Sequence, residues 1–456
     1  MMTLDVVILA AGKGTRMRSS LPKVLHPLAG KPMVSHILDT TSGLEAERTH
    51  VVVGHGAERL REALAEYPVN FVLQAEQKGT GHAVAQSLDG LGEGKVLVLY
   101  GDVPLIQRDT LRALLAPVDE DHMGLLTVTL EDPTGYGRIL RDEAGEAVAI
   151  VEQKDADEQQ RAVRECNTGI MAMTTAQLRR WLPRLSAENA QGEYYLTDVI
   201  AMAAAEGVKV ATAQPSRPVE VEGVNDRRQM ARLERTLQAD IAESLMTQGV
   251  ALRDPSRLDV RGSLTCGHDV EIDVGCVFEG DVELGEGVRV GPHCVIRDSH
   301  IGAETVIEPH SVIEGAVVAG HNQIGPFARL RPGTRLAVGA KVGNFVETKN
   351  AEVGEGSKIN HLSYVGDARL GRDVNVGAGT ITCNYDGANK HRTEIGDEAF
   401  IGSNTALVAP VSVGRGATVG AGSTIDRDVA DNTLAVERSK TINKADWQRP
   451  AKRKDH

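Results

Sequence analysis

Glycines and basic residues are concentrated in a short stretch near the amino terminus, residues 9–25, with the sequence LAAGKGTRMRSSLPKVL. Gly12 and Gly14 predict a tight turn that exposes backbone N–H groups, and Arg16 and Lys23 add positive charge beside it. The glycine spacing matches neither a dinucleotide-binding turn nor a P-loop. For the glycines alone, a strand-to-helix turn among solvated lysines is the simpler interpretation, but the added cations favour a site for phosphate groups.

A histidine in the carboxyl-terminal half of the chain lies among residues suited to proton transfer and anion binding. His361 belongs to the sequence KINHLSY, twelve residues after Lys349 and three before Tyr364. An imidazole, with an ordinary pKa of about 6.5, suits a general base at neutral pH. A single histidine is more often a hydrogen-bonded surface residue, so His361 is a candidate base only because of its neighbours.

A six-residue repeat of branched aliphatic residues organises the chain from Leu284 onward, most clearly over residues 395–425, where glycine usually follows. This period fits neither an α-helix nor one alternating strand. It predicts a hexapeptide solenoid, a prism of short strands with each aliphatic residue pointing inward. The repeated positions are Leu284, Val290, Ile296, Ile301, Ile307, Ile313, Ile324, Leu330, Leu336, Val342, Val353, Ile359, Val365, Leu370, Val376, Ile395, Ile401, Leu407, Val413, Val419 and Ile425. Between Val376 and Ile395, the sequence TCNYDGANKHRTE interrupts the repeat and predicts a loop that leaves the solenoid.

The elements that must position the phosphate-binding stretch lie in residues 1–225, where short β-branched runs alternate with helical patterns. This alternation predicts an α/β domain with a mainly parallel sheet. The expected strands are 6–9, 50–53, 69–74, 95–100 and 125–130. Ligands of such sheets bind beyond the carboxyl ends of the strands, which is where residues 9–25 begin. A stripe of apolar residues over 228–248 predicts an amphipathic helix that links this domain to the solenoid.

The composition limits the possible functions. The chain has 456 residues and a net charge of −13 without an extended basic face, which argues against a nucleic-acid-binding protein. Its five cysteines form no C-x-x-C pair, so neither a disulfide framework nor a thiolate zinc site is indicated. No apolar run approaches the ~20 residues that span a bilayer, and no signal peptide is recognisable. We therefore expect a cytoplasmic protein that makes no membrane contacts.

The order of several motifs resembles that of the sugar-phosphate nucleotidyltransferases. Besides residues 9–25, these motifs are LQAEQKGTGHA at 73–83, YGDVPL at 100–105, DPTGYGRI at 132–139, NTGI at 167–170, QGEYYLTD at 191–198 and VEGVND at 221–226. With a hexapeptide domain in the same chain, the sequence is similar over nearly its whole length to the bacterial bifunctional N-acetylglucosamine-1-phosphate uridyltransferase/glucosamine-1-phosphate N-acetyltransferases, the GlmU family. The resemblance implies a Rossmann-like α/β nucleotidyltransferase domain followed by a left-handed parallel β-helix of hexapeptide repeats, and a role in making UDP-N-acetylglucosamine for peptidoglycan and lipopolysaccharide.

For the first domain, the resemblance implies transfer of UMP from UTP to N-acetylglucosamine-1-phosphate, with Mg²⁺ as cofactor. Arg16 and Lys23 are then the catalytic cations on the phosphates, and Asp102 and Asn225 are the oxygen ligands of Mg²⁺, an ion that takes few protein ligands. Without the resemblance, an ordinary aspartate in a turn would be about as plausible for Asp102 as a metal ligand. Gln74 would read the uracil edge, because an amide both donates and accepts. The implied contacts of nucleotide and sugar are Leu9, Ala10, Ala11, Gly12, Gly14, Lys23, Gln74, Gly79, Thr80, Tyr100, Gly101, Asp102, Gly137, Glu152, Asn167 and Asn225, with Tyr195 and Thr197 nearby.

For the solenoid, the resemblance implies acetyl transfer from acetyl-CoA to glucosamine-1-phosphate, with His361 as the catalytic base. We further expect Glu347 to orient His361. The implied contacts of the sugar phosphate are Arg331, Lys349, Tyr364 and Asn375. The implied contacts of acetyl-CoA are Ala378, Asn384, Tyr385, Ser403, Ala421 and Arg438. Because these residues are widely spaced along the prism, we expect a site shared between the subunits of a homotrimer.

The resulting assignment is a uridyltransferase domain at 1–227, a helical linker at 228–248 and an acetyltransferase domain at 249–456. The expected partners are the small-molecule substrates glucosamine-1-phosphate, acetyl-CoA and UTP, with no nucleic acid and no membrane. Two other classes remain possible at this point. One is a nucleotidyltransferase with a single activity, whose solenoid only forms the trimer; His361 argues against it. The other is a structural assembly protein, which would have no use for a phosphate and magnesium site.

Overall fold

The computed structural model describes residues 2–450, and the contacts divide the chain into two units, with the division between Leu237 and Gln238. The first unit contains an α/β sheet, and the second is a prism of short parallel strands. Among the described residues, none of the helices has the length and apolar character that a membrane crossing requires. Both parts of the expected architecture, an α/β domain and a parallel β-helix, are present.

The first unit is built from a nine-stranded sheet, a small two-stranded ribbon and seven α-helices of its own. The strands are β1 Thr3–Leu9, β2 Pro27–Leu28, β3 Lys31–Pro32, β4 Arg48–Val53, β5 Asn70–Leu73, β6 Gly94–Tyr100, β7 His122–Thr129, β8 Arg138–Arg141, β9 Ala147–Val151, β10 Glu165–Thr174 and β11 Lys209–Ala213. The helices are α1 Met33–Ser42, α2 Ala57–Ala63, α3 Thr80–Ala85, α4 Arg108–Leu115, α5 Glu158–Arg161, α6 Thr175–Trp181 and α7 Asp198–Ala205.

The order of strands brings the loops of the phosphate-binding motifs together. The main sheet runs β11-β7-β10-β6-β1-β4-β5, and β1 pairs in parallel with both β4 and β6. The backbone N–H of Gly101 donates to Leu9 O at 2.9 Å, so the loops after β1 and β6 leave the sheet side by side. Apolar β-branched residues such as Val7, Ile8 and Val98 are fully buried in these strands, which explains why the central strands form.

The five strands expected from the sequence are all found, with ends shifted by a few residues. The sequence analysis did not identify β10, which inserts antiparallel between β6 and β7. Its sequence ECNTGIMAMT contains one β-branched aliphatic residue, Ile170, so its strand propensity is low, although the strand is buried by its neighbours. The antiparallel hairpin of β8 and β9 was also missed.

A long helix, α8 Arg227–Thr247, occupies the segment expected to link the domains. In the first unit, Leu233 is buried in a cluster with Met17 and Met33. In the second unit, Ala242 and Leu245 belong to the core of the prism. Because the two halves of α8 pack on different cores, the division of the chain falls inside the helix; the boundaries 1–227 and 249–456 remain a prediction.

The second unit is a three-sided parallel solenoid, as expected of a left-handed parallel β-helix. Most paired strands follow one another by 17 or 18 residues, as in the pairing of Val295 with Val312 and of Val317 with Arg335. The strands are β12 Ala251–Leu252, β13 Leu258–Cys266, β14 Glu271–Ile272, β15 Cys276–Leu284, β16 Arg289–Val290, β17 Val295–Ile301, β18 Val306–Ile307, β19 Val312–Glu314, β20 Val317–Val318, β21 Gln323–Ile324, β22 Arg329–Leu330, β23 Arg335–Leu336, β24 Lys341–Asn344, β25 Glu347–Val353, β26 Lys358–His361, β27 Tyr364–Leu370, β28 Asn375–Val376, β29 Ile381–Cys383, β30 Thr393–Ile395, β31 Phe400–Ile401, β32 Ala406–Val408, β33 Val411–Val413, β34 Thr418–Val419, β35 Thr424–Ile425 and β36 Leu434–Ala435.

The inward-facing positions agree with the repeat. Every aliphatic residue that the six-residue period identified is buried, and the prism has one continuous apolar core. The loop in the structure is shorter than the one expected from the interruption of the repeat. Strand β29 still belongs to the solenoid, with Thr382 buried at the inward position. The protruding segment is 384–392, and the coil resumes where Ala368 pairs with Thr393. A hydroxyl at one inward position concealed this coil from a search for aliphatic residues.

Candidate active sites

Four polar side chains converge at the carboxyl end of the sheet in the first unit. Lys23 forms an ion pair with Asp102, and its ammonium group also donates to Asn225 Oδ1 at 3.2 Å. Arg16 Nη2 donates to the same oxygen at 2.9 Å. The two phosphate-binding cations and the two oxygen donors expected from the sequence therefore meet at one point, although they come from distant parts of the chain.

The glycine-rich turn determines where Lys23 lies. Gly14 has a φ of +57°, a conformation that side chains rarely adopt. A Cβ at this position would lie 2.6 Å from Lys23 Cβ, so the turn packs directly on the stem of the lysine. The turn thus needs glycine at this position for two reasons, its backbone conformation and its contact with Lys23.

Backbone hydrogen bonds fix the segment that carries Asn225. The N–H of Val224 donates to Asp102 O at 2.9 Å, which joins this segment to the loop after β6. The N–H of Asn225 donates to Gln229 Oε1 at 2.7 Å, in the first turn of α8. Gln229 was not identified from the sequence, because a glutamine in a helix gives no signal of such a contact.

The oxygen donors at this point fit a divalent cation. Asp102 and Asn225 both direct a side-chain oxygen at the Lys23 ammonium, so their oxygens already converge on one positive charge. Mg²⁺ prefers such oxygens and usually takes one or two carboxylates, water and substrate phosphate. Within residues 2–450, there is no group of three or more His, Cys, Asp or Glu residues that could hold a metal ion by itself. An ion here would therefore need oxygens from a bound phosphate.

A cavity of about 230 Å³ opens beside this cluster. Ten residues expected to contact the nucleotide line it: Leu9, Ala10, Ala11, Gly12, Lys23, Gln74, Gly79, Thr80, Tyr100 and Asp102. The sequence analysis did not single out the other four lining residues, which are Val24, Gln77, Ala83 and Glu193. All four lie inside the motifs quoted above. The motifs therefore predicted the segments that line the cavity, although these four residues were not predicted individually.

The residues expected around the sugar also come together. Asn167 N–H donates to Gly137 O at 2.9 Å, and a Cβ on Gly137 would lie 3.3 Å from Glu152 Oε1. A second cavity of about 320 Å³ shares Tyr100 and Asp102 with the first. It is also lined by Arg16, Val103, Thr134, Gly135, Tyr136, Thr168, Val221, Gly223, Asn225 and Gln229. A bound group can therefore extend from one cavity into the other past Asp102.

Glu152 lies in a partly desolvated environment. Burial raises the pKa of its carboxyl group, whereas the Thr197 hydroxyl, 3.5 Å from Oε1, opposes this shift. Tyr195 is buried, its hydroxyl accepts from Gln191 Nε2 at 2.9 Å, and it lines neither of the two cavities. Gly101 does not line the cavity; its contribution is the backbone bond to Leu9 described above.

In the solenoid, the candidate base and the expected acetyl-CoA contacts share one edge. His361 is paired in register with Asn344 on the preceding coil, and Ala378, Ser403 and Ala421 follow at the same place on the next three coils. We call these five residues the edge column. Coils are about 4.8 Å apart, so the edge column extends about 14 Å from His361 to Ala421. Arg438 lies at its end, with Nη2 3.5 Å from where a Cβ on Gly420 would be.

Asn344, not Glu347, orients His361. His361 Nδ1 lies 2.9 Å from Asn344 Oδ1. Since an amide oxygen only accepts, Nδ1 carries the proton and the lone pair is on Nε2. Glu347 Oε1 accepts instead from Arg331 Nη1 at 2.8 Å, so the expectation that Glu347 orients His361 is wrong. The glutamate lies beyond the corner that follows Asn344, whereas Asn344 is one coil directly below the histidine.

Cations from two different segments lie together beside this edge. Lys390, on the protruding loop, has a lowered pKa because the like charge of the Lys349 ammonium lies close to it. Asn384 forms a hydrogen bond with Asp367 and lies 3.5 Å from Tyr364 OH. Lys390 was missed in the sequence because it lies in a loop without a repeat. Two facing ammonium groups repel each other, which an anion between them would relieve.

A closed turn holds the loop that carries Lys390. Asp386 Oδ1 accepts from Asn389 N–H at 2.6 Å, and its other oxygen lies 2.7 Å from His391 Nε2. These two contacts and a hydrogen bond from the Ala388 N–H hold the pKa of Asp386 well below its ordinary value. The Tyr385 ring is exposed and its hydroxyl donates to Gly387 O within the loop.

Three of the expected residues are not brought into these groups: Arg331, whose guanidinium pairs with Glu347, and also Tyr385 and Asn375. Tyr385 makes its hydrogen bond inside the loop, and Asn375 lies in β28, three residues before Ala378, without a side-chain hydrogen bond to the other candidates among residues 2–450. His361 itself is exposed, and Leu362 at the adjoining corner is 64% exposed. Within residues 2–450, the candidate acetyl-transfer residues thus line an open edge.

Family models match three parts of the chain. The MobA-like NTP transferase domain matches residues 6–187, which contain most of the first site. The GMPPB C-terminal domain matches residues 260–344. The hexapeptide repeat of succinyl-transferase matches residues 392–427, where the aliphatic repeat is clearest. These matches agree with the division into a nucleotide-binding sheet and a hexapeptide solenoid.

Three relatives match the chain along its whole length. The bifunctional protein GlmU of Chromohalobacter salexigens is 72% identical over 451 residues, covering 99% of this chain and 100% of the relative. The bifunctional protein GlmU of Marinobacter nauticus is 61% identical, with coverage of 99% and 100%. That of Alkalilimnicola ehrlichii is 60% identical, with coverage of 99% and 98%.

Proposed function

Because the chain belongs to the family of the bifunctional protein GlmU, and is therefore an enzyme with both an acetyltransferase and a uridyltransferase activity, we propose that each activity has its own site in its own unit. The enzyme acetylates glucosamine-1-phosphate and then transfers UMP from UTP to the product, which gives UDP-N-acetylglucosamine and pyrophosphate. The observation that carries the proposal is the separate convergence of Arg16, Lys23, Asp102 and Asn225 in one unit and of the edge column in the other.

The experiment that tests this proposal measures free thiol and pyrophosphate separately in variants of each site. When thiol release is assayed with glucosamine-1-phosphate and pyrophosphate release with N-acetylglucosamine-1-phosphate, the expected result is loss of one signal without the other. A nucleotidyltransferase with an inert solenoid would release pyrophosphate but never thiol.

In the first site, Arg16 and Lys23 neutralise the triphosphate while a phosphate oxygen of the sugar attacks the α-phosphorus. Pyrophosphate leaves from the opposite side, and the two cations stabilise the charge that develops on it. The family has a divalent-metal requirement, and we propose Mg²⁺, held by Asp102 and Asn225. When bound, the ion would neutralise phosphate charge and help to align the reacting groups.

The second cavity would hold the sugar. Gly137 and Asn167 are the chain neighbours of its lining residues Tyr136 and Thr168, and the missing side chain of Gly137 faces the Glu152 carboxylate. A carboxylate and an amide suit the hydroxyl and acetamido groups of N-acetylglucosamine, because together they accept and donate. Tyr100 lies between the two cavities, where burial raises the pKa of its hydroxyl, so it stays a neutral hydrogen-bond donor.

In the second site, His361 Nε2 would take a proton from the amino group of glucosamine-1-phosphate. The amine nitrogen then attacks the thioester carbon of acetyl-CoA, and the coenzyme leaves as a thiolate that is protonated afterwards. The hydrogen bond from Nδ1 to Asn344 supports this role, since it directs the lone pair of Nε2 outward. The coenzyme would lie along the edge column, with Arg438 at the end for a phosphate.

We propose that Lys390 binds the phosphate of the sugar together with Lys349. Lys390→Ala should raise the KM for glucosamine-1-phosphate by about tenfold, the effect of losing one charge-assisted contact, with a smaller change in kcat. Steady-state kinetics of thiol release measure both constants. The control is Arg289→Ala, an exposed arginine on a distant coil, which should leave KM unchanged. An unaltered KM in Lys390→Ala would exclude the lysine from the site.

Hexapeptide repeats indicate oligomerisation, and we propose that the enzyme is a homotrimer. The open edge beside His361 supports this, because a neighbouring subunit could complete the site there. Light scattering should give a mass about three times that of the 48.7 kDa chain, and conditions that dissociate the trimer should abolish acetyl transfer before uridylyl transfer. A monomer with full acetyl-transfer activity would contradict the proposal. The cytoplasm, where these small-molecule substrates are made, is the proposed location.

A further inference from the structure

The side chain of Gln74 is fixed by two contacts behind the nucleotide cavity. Gln74 follows β5, is only 3% exposed and yet lines the cavity. Its Nε2 lies 3.2 Å from Gly79 O and 3.1 Å from His82 Nδ1. Both partners belong to the first turn of α3, Gly79 immediately before the helix and His82 within it.

These contacts leave one orientation of the amide. A backbone carbonyl only accepts, so the Gln74 atom that faces Gly79 O must be the nitrogen. The nitrogen then offers its second proton to His82, which requires that Nδ1 carry a lone pair and that the ring be neutral with its proton on Nε2. Both N–H groups of Gln74 are thereby used. Within residues 2–450, no donor reaches the Oε1 atom, which remains as an acceptor at the cavity.

His82 is itself held in place. Gly81 N–H donates to Tyr194 O at 2.9 Å, and Leu196 N–H donates to Thr80 Oγ1 at 3.1 Å, so the turn is tied to the segment beside it. The rings of His82 and Tyr194 stack loosely, with centroids 6.5 Å apart. The histidine therefore presents Nδ1 to Gln74 in a fixed position.

We propose that His82 determines the choice of pyrimidine by fixing Gln74 with its oxygen toward the base. The inference rests on the proposed function of Gln74 as the residue that reads uracil. The imide N3–H of uracil can donate to Oε1, whereas N3 of cytosine carries a lone pair that would face it. A site that is built to accept from a group rejects an analogue that lacks the donor. Without His82, only Gly79 O holds this orientation, so the turned amide, which presents nitrogen and suits cytosine, becomes more accessible.

The test compares kcat/KM for UTP and for CTP, from initial rates of pyrophosphate release. His82→Phe keeps a ring against Tyr194 but removes the acceptor, and should reduce the preference for UTP by at least about tenfold, the loss of one orienting hydrogen bond. His82→Asn places an acceptor near the position of Nδ1 and should restore most of the preference. The matched control is Gln86→Ala, which removes the contact on the other side of the histidine and should leave the preference unchanged.

Equal losses with both nucleotides in His82→Phe, or an unchanged preference, would overturn the proposal. If His82→Phe does not fold, the same comparison with His82→Ala decides it. A separate variant, Gln74→Leu, tests the premise. If Gln74→Leu keeps the preference for UTP, Gln74 does not read the base, and the proposed role of Gln74 fails together with that of His82. If Gln74→Leu loses the preference while His82→Phe keeps it, only the inference about His82 fails.

Discussion

Replacing His361 by alanine should lower the rate of acetyl transfer by about 10²–10⁴-fold, the usual contribution of a positioned general base. The amine of the sugar must lose a proton to attack the thioester, and the lone pair of His361 Nε2 is directed outward by the bond from Nδ1 to Asn344. The KM for glucosamine-1-phosphate should change little, since we propose that Lys349 and Lys390, and not His361, hold the phosphate. Thiol release from acetyl-CoA measures the rate.

The control for this variant is His300→Ala. His300 is another exposed histidine of the solenoid, where it pairs with Glu283 at 2.6 Å, and its loss should leave both activities unchanged. Pyrophosphate release from UTP and added N-acetylglucosamine-1-phosphate should remain normal in His361→Ala, because the first site lies in the other unit. An acetylation rate within about threefold of the parent enzyme would exclude His361 as the base, because that is far below the contribution of a general base.

Asp102→Ala should reduce uridylyl transfer by at least about 10²-fold, a typical loss when one charge-stabilising group is removed from a reacting centre. Asp102 supplies the carboxylate of the cluster, pairs with Lys23 and is only 17% exposed at its side chain. Its removal leaves Asn225 as the single oxygen donor for a divalent ion and frees Lys23 from its partner. Pyrophosphate release at several Mg²⁺ concentrations measures the effect.

Thiol release should be unchanged in Asp102→Ala, since no residue of the first unit belongs to the edge column. The matched control is Asp109→Ala, which removes an exposed aspartate of α4 that pairs with Arg112. This control should keep both activities. Full uridylyl transfer by Asp102→Ala at modest Mg²⁺ would mean that the metal ion is held elsewhere.

The solenoid was predictable because its physics is local and repeated. Most inward-facing positions of the coils take an aliphatic residue, which gives the six-residue period. A different residue at such a position breaks the period in the sequence. Thr382 shows the limit: it fills an inward position with a hydroxyl that donates to Gly366 O at 3.0 Å, so its coil was taken for part of the loop. The sequence analysis found the central parallel strands by their β-branched runs but missed β10, which is a strand because of its neighbours.

Site residues that lie in a sequence motif were predictable. Residues whose position depends on contacts between distant segments of the chain were less predictable. Asp102 and Asn225 were expected from their motifs, and the structure brings them together. Gln229, Asn344 and Lys390 act through partners that no spacing in the sequence indicates. The expected contact of Glu347 with His361 failed for the same reason, since Arg331 is the nearer partner.

The central claim, that two independent sites in one chain carry the two activities, is tested most directly by mixing two variants. Asp102→Ala and His361→Ala are assayed separately and together, with glucosamine-1-phosphate, acetyl-CoA, UTP and Mg²⁺, while free thiol and pyrophosphate are followed in the same reaction. Asp102→Ala alone should release thiol without pyrophosphate. His361→Ala alone should release neither, and adding N-acetylglucosamine-1-phosphate should restore only its pyrophosphate release. The mixture should form UDP-N-acetylglucosamine from glucosamine-1-phosphate. A mixture that forms none, although each variant is folded, would contradict two independent sites.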